Sequence, residues 1–167
     1  MLFKIKSYIQ FLWHSKNEHA VHSPFVFQLI TNCLYVKTEK LPYYPDFPTK
    51  TKKEKLLNRL FHYFQFQEGF YFLPTKKSDI NSVSKLDFVW IDVAFFIENQ
   101  LKIESLFAKS NNETCYIFES ISKNTETQLF WKSIISNPKF TVTIDTFSFG
   151  LTFIRTEQAK EHFVIRV

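Results

Sequence analysis

Glycine is nearly missing from this chain. Only Gly69 and Gly150 occur in 167 residues. Neither stands in a strand-to-helix turn, so a glycine loop cradling a nucleotide-type cofactor is excluded. Cysteine is equally sparse. Cys33 and Cys115 lie far apart and form neither a zinc motif nor a dithiol redox motif. No stretch approaches the ~18 consecutive apolar residues of a membrane span. At the start, Lys6 interrupts the apolar run and no small-residue cleavage site follows, so a signal peptide is not indicated. A cytoplasmic protein is expected. With 45% hydrophobic and 22% charged residues, disorder is excluded as well.

Phenylalanine is abundant at 21 residues, alongside frequent Lys, Asn and Ile. That pattern fits a compositional bias and points to no function. Net charge is +5, which favours anionic partners. The densest basic run is Lys50, Lys52, Lys53 and Lys55, with Lys76 and Lys77 as a smaller pair. A nucleic-acid interface concentrates its charge on one face. The first run carries no interleaved aromatic, so a solvated surface is the favoured reading and nucleic acid the lesser partner.

Apolar spacing at Leu2, Ile5, Ile9 and Leu12 predicts an amphipathic helix over 2–13, docked on the domain. Phe11, Trp13, Lys4 and Lys6 make membrane-surface binding the other option. Ser23-Pro24 is a helix start: Ser23 can cap, and Pro24 loses nothing at the first helical position. Residues 37–49, with Pro42, Pro45 and Pro48, form a connector. Thr51 with Glu54 is a capping box. Leu56, Leu57, Leu60, Phe61 and Phe64 give the helical stripe after it, with Gly69 as the stop. Strands are predicted at 70–73, 86–92, 114–119, 140–147, 150–155 and 162–167, and helices at 98–109 and 124–136. Strands alternating with helices mean an α/β sheet flanked by helices, ending in an antiparallel hairpin. One domain is expected over 1–167. Its parts are a helical and proline-rich extension (1–49) and an α/β core (50–167).

Asp92 and Glu119 end two buried strands, where open α/β sheets bind ligands. Two carboxylates there can hold a hard cation or share acid–base work. The competing reading is that both cap helices or meet solvent, and no metal site is expected. His19 and His22 have metal-compatible spacing, but a packing role at the helix start is favoured. Cys115 is expected in the core. Ser120 and Ser122 lack the small neighbours of a nucleophile elbow.

The segment HAVHSPFVFQLI (His19 to Ile30) resembles the opening of a group of bacterial class I S-adenosylmethionine-dependent methyltransferases, which begin His-x-x-His-Ser-Pro-Phe-Val. His19, His22, Ser23, Pro24 and Phe25 carry that motif. LDFVWID (Leu86 to Asp92), CYIFESIS, FTVTIDTFSFGLTFIR and EQAKEHFVIRV resemble later segments of the same family, in the same order. The similarity covers roughly residues 1–35 and 55–73, and nearly all of 86–167. The resemblance implies a reduced Rossmann-like sheet with N-terminal helices and a C-terminal antiparallel hairpin. It also implies lost chemistry. Where the family has Glu-Leu-Gly-Thr-Ser-Leu-Gly, this chain has Pro74, Thr75, Lys76, Lys77 and Ser78 after Phe72-Leu73. The following helix, strand and helix look deleted. Val93, Ala94 and Phe95 replace the family's Gly-Asn-His, leaving Asp92 and Glu119 as vestiges. A non-catalytic, pseudoenzyme-like relative is therefore expected, with no cofactor. The alternative is an active enzyme whose atypical or partner-completed site takes S-adenosylmethionine. Deleting a strand–helix unit exposes sheet edge and apolar helix surface, so self-association or a protein partner is expected.

Overall fold

The computed structural model describes residues 2–15, 21–36, 42, 44 and 51–167. His19, Lys50 and most of the 37–49 connector lie outside the described residues. The chain forms two compact units, one of residues 1–16 and 68–166, the other of 17–67 with 167.

In the smaller unit, α2 (Pro24–Leu29) starts as expected: Ser23 Oγ accepts from the Val26 amide at 3.3 Å. The helix continues as a π turn over Ile30–Leu34. Helix α3 (Lys52–Phe64) opens with the reciprocal Thr51–Glu54 capping box. Leu56, Leu57, Leu60 and Phe61 form its buried face. The helix stops earlier than expected, because Gln65 takes a left-handed conformation at φ 56°. Gly69 does not end it and instead opens the first strand.

The larger unit carries helix α1 (Leu2–His14) and a seven-stranded mixed sheet of order β2-β1-β3-β4-β6-β5-β7. The strands are β1 (Gly69–Leu73), β2 (Lys76–Lys77), β3 (Phe88–Asp92), β4 (Cys115–Glu119), β5 (Val142–Asp145), β6 (Phe149–Phe153) and β7 (Glu161–Val164). Strands β1, β3 and β4 are parallel, and β6 runs antiparallel to both β4 and β5. The parallel strands are near-continuous apolar runs, as burial on both faces requires. One face packs Val89, Ile91, Tyr116 and Phe118 against Phe96, Leu106, Trp131 and Ile134 of the helical layer.

Three elements differ from the sequence expectation. Of the helix expected at 98–109 only a single turn, α5 (Glu104–Phe107), forms, and a separate helix, α4 (Val93–Glu98), precedes it where none was expected. Asp92 caps α4 directly after β3, and Gln100 at φ 51° breaks the chain between the two. The β1 edge is not left open. Two-residue β2 pairs with it, and Ser78 exchanges hydrogen bonds with the Tyr71 backbone. A very short, lysine-bearing edge strand discourages pairing with another chain. The third difference is α1, which docks through Ser7 and Phe11 rather than through its Ile5–Ile9 stripe.

Helix α6 (Thr125–Ser136) lies over β6 at Gly150. A Cβ at that position would stand 2.4 Å from the Trp131 ring. Because Trp131 is buried and donates to Asp145, the ring cannot step aside. Gly150→Ala is expected to cost about 1–3 kcal/mol of stability, as over-packed cores do. At Gln65 the sign reverses. Gln65→Gly removes a left-handed side-chain penalty and is expected to gain roughly 0.5–1 kcal/mol. Urea unfolding of the two variants checks both signs.

Candidate functional site

Strands β3, β4 and β5 point the same way, and each ends in an acid: Asp92, Glu119 and Asp145. Asp92 and Glu119 are register partners on adjacent strands. This carboxyl edge is where an open α/β sheet binds its ligand.

Each acid there holds a local hydrogen bond. Asp92 Oδ1 accepts from the Phe95 amide at 2.8 Å and caps α4. Glu119 Oε2 accepts from the Trp90 indole at 3.0 Å. Asp145 was hidden within a predicted strand; the sole clue in sequence is that it repeats the strand-ending acid of its neighbours. Its Oδ1 accepts from the Phe147 amide at 2.7 Å, and its Oδ2 from the Trp131 indole at 3.2 Å. Burial raises the Asp145 carboxyl above its ordinary range, while the two donors pull it back.

Ser120 takes a left-handed conformation at φ 64° where β4 ends. Its amide donates to Ser148 O and its carbonyl accepts from the Lys123 amide, both at 3.0 Å. Helix α6 begins only at Thr125, so Ser120 sits in a closed turn and not at a helix N-terminus.

The segment 74–78 bends β1 back into β2 instead of leading to a helix. Lys76 Nζ lies 3.8 Å from the centre of the Tyr71 ring. Ser78 Oγ accepts from the Tyr71 amide at 3.0 Å, and the Ser78 amide donates to Tyr71 O at 2.8 Å. Asp79 then caps a 3₁₀ turn, and Lys109 Nζ fixes that turn through the carbonyls of Ile80 and Val83, both at 2.6 Å. Beside it lies a cavity of about 390 Å³ with Phe72, Phe96, Leu101 and Leu106 in its wall and Lys77 and Asp79 among its polar groups.

His22 is exposed, Ser23 caps α2 and the Phe25 ring lies 6.4 Å from that of Phe64. Of the motif, Ser23 and Pro24 make the helix start, while His22 faces solvent. Among the described residues, no group of three His, Cys, Asp or Glu is placed to hold a metal ion. Lys52 and Lys55 are exposed on α3, and Lys76 and Lys77 on β2. Both cysteines are buried. Burial pushes the Cys33 thiol up to about 12 against the opposing pull of Arg59, so it stays protonated and inert at neutral pH.

No family model matches the chain. Neither a curated protein nor a solved structure matches it.

Because Asp92 serves as a cap, its charge is dispensable and its acceptor is not. Asp92→Asn is expected to stay within a few tenths of a kcal/mol of the parent, because Asn caps as well as Asp. Asp92→Ala is expected to lose about 1 kcal/mol. Thermal unfolding of both variants makes the comparison.

Proposed function

We propose that this chain is a degenerate, non-catalytic relative of the class I S-adenosylmethionine-dependent methyltransferases and acts by binding a protein partner or a second copy of itself. The observation that carries this reading is the carboxyl end of β1. The place where such a sheet receives its cofactor is taken by the Pro74–Ser78 hairpin, which is hydrogen-bonded back onto Tyr71.

The strand order supports the ancestry. A doubly wound sheet runs 3-2-1-4-5, and removing strands 2 and 3 leaves the parallel run seen here as β1-β3-β4. The link from β1 to β3 spans only residues 74–87 and holds two-residue β2 and a 3₁₀ turn, where that order would need two further parallel strands with their helices. The antiparallel β5–β6 pair beside β4 fits the C-terminal hairpin of the resemblance. For the binding role, support comes from exposed apolar surface. Leu129 of α6 is exposed, and the cavity wall beside β1 is largely apolar.

Calorimetric titration with S-adenosylmethionine tests the loss of donor binding. No saturable heat is expected at donor concentrations up to about 1 mM, and a micromolar site would overturn the reading. Sedimentation velocity and affinity capture test the second half. A dimer or a recovered partner is expected, whereas a lone monomer that captures nothing counts against it.

A further inference from the structure

The unusual surface of this chain is helix α1. It holds to its own unit by a narrow ridge: Ser7 and Phe11 are buried, and the Phe147 ring lies 4.9 Å from that of Tyr8 and 5.5 Å from that of Phe11. Four of its other large apolar side chains face outward. Ile5 is 50% exposed, Tyr8 45%, Ile9 51% and Trp13 86%. Ile5, Ile9 and Trp13 follow one another at i, i+4 and i+8, and Tyr8 borders the row. A helix that only packed on a domain would turn this stripe inward.

The charges beside the stripe decide what covers it. At 100° per residue, Lys4 falls on one border of the outward apolar arc and Lys6 on the other. Both lysines are exposed, and the helix contains no acid. The chain as a whole is positive, at +5. A broad apolar face edged on both sides by lysines, with a tryptophan near its border, matches the chemistry of a helix lying in the headgroup region. Two copies meeting through this face would bring like charges from both borders together.

We infer that α1 is an interfacial helix that seats this protein on an anionic lipid surface, with Ile5, Ile9 and Trp13 entering the acyl boundary and Lys4 and Lys6 reaching the headgroups. The helix lies on the surface and does not span it: no described helix is long and apolar enough to cross. This inference does not depend on the loss of donor binding.

The test uses the full chain with phosphatidylcholine vesicles, with and without phosphatidylglycerol. Trp90 and Trp131 are buried, so a shift in tryptophan emission on adding vesicles reports Trp13. Co-sedimentation with the anionic vesicles and a blue shift are expected, with much weaker binding to the neutral ones. Ile5→Ser/Ile9→Ser is expected to weaken anionic binding by about tenfold or more while leaving the circular dichroism unchanged, since both sites face solvent. Lys4→Gln/Lys6→Gln is expected to weaken it by roughly tenfold on anionic vesicles alone. Failure of the parent chain to bind anionic vesicles overturns the inference. So does binding that survives the serine substitutions. A dimer that those substitutions dissolve, in a chain that ignores vesicles, would assign the face to a second copy instead.

Discussion

The indole of Trp131 can lie against the sheet only because β6 has no side chain at position 150. Much else is fixed by that contact. The ring lies tilted against that of Phe118 at 5.9 Å, and its N–H reaches Asp145 on the neighbouring strand. One side chain of α6 thereby ties together β4, β6 and β5, the part of the sheet where strand direction reverses. An antiparallel strand inserted beside a parallel run has no crossover helix to hold it. Here a buried aromatic and one carboxylate hold it. The cost is visible in Asp145, whose carboxyl is held above its ordinary range by burial despite two donors.

Both glycines follow the same logic. Gly69 lies under the Tyr71 ring as Gly150 lies under Trp131. Neither has positive φ. The left-handed positions fall instead to Gln65, Gln100, Ser120 and Phe147. Each such residue carries a penalty of about 1–2 kcal/mol relative to ordinary backbone. At Phe147 the penalty is offset by rings from α1. Strain at Ser120, beside the carboxyl edge of the sheet, would elsewhere suggest a nucleophile. In a chain this poor in glycine it marks a turn taken by whatever residue was present.

What could be read from sequence was what is decided within three or four residues. The Ser23 and Thr51 caps are contacts of that range, and both form. The apolar runs of β1, β3 and β4 were equally plain, because a strand buried on both faces has no competing pattern. The placing of helix at 93–98 and 104–107 rather than over 98–109 was not legible. The strand was expected to end at Asp92 and the helix to begin only at Glu98, so Val93 to Ile97 carried no assigned element, although Asp92 as a cap was one of the two readings. The covering of the β1 edge was hidden for a different reason. Lys76-Lys77 has no strand signature and pairs only because the turn at Pro74 and the hydroxyl of Ser78 bring it back. Both glycines' roles needed the strand register, which puts Gly150 opposite Phe118 and Asp145.

Helix α1 shows the limit of periodicity most clearly. Spacing identifies an apolar face but not the phase that receives it. The domain is the usual choice, because a folded chain offers the nearest apolar surface. In this chain Phe147 stands up from a strained turn and takes the Tyr8–Phe11 edge of the helix. Its ring fills the contact, so Ile5 and Ile9 cannot turn inward without displacing Ser7 and Phe11. Position 147 thus sets the orientation of a helix that lies far from it in sequence. The same constraint leaves Trp13 in solvent with lysines bordering its face, a costly arrangement unless another apolar phase meets it.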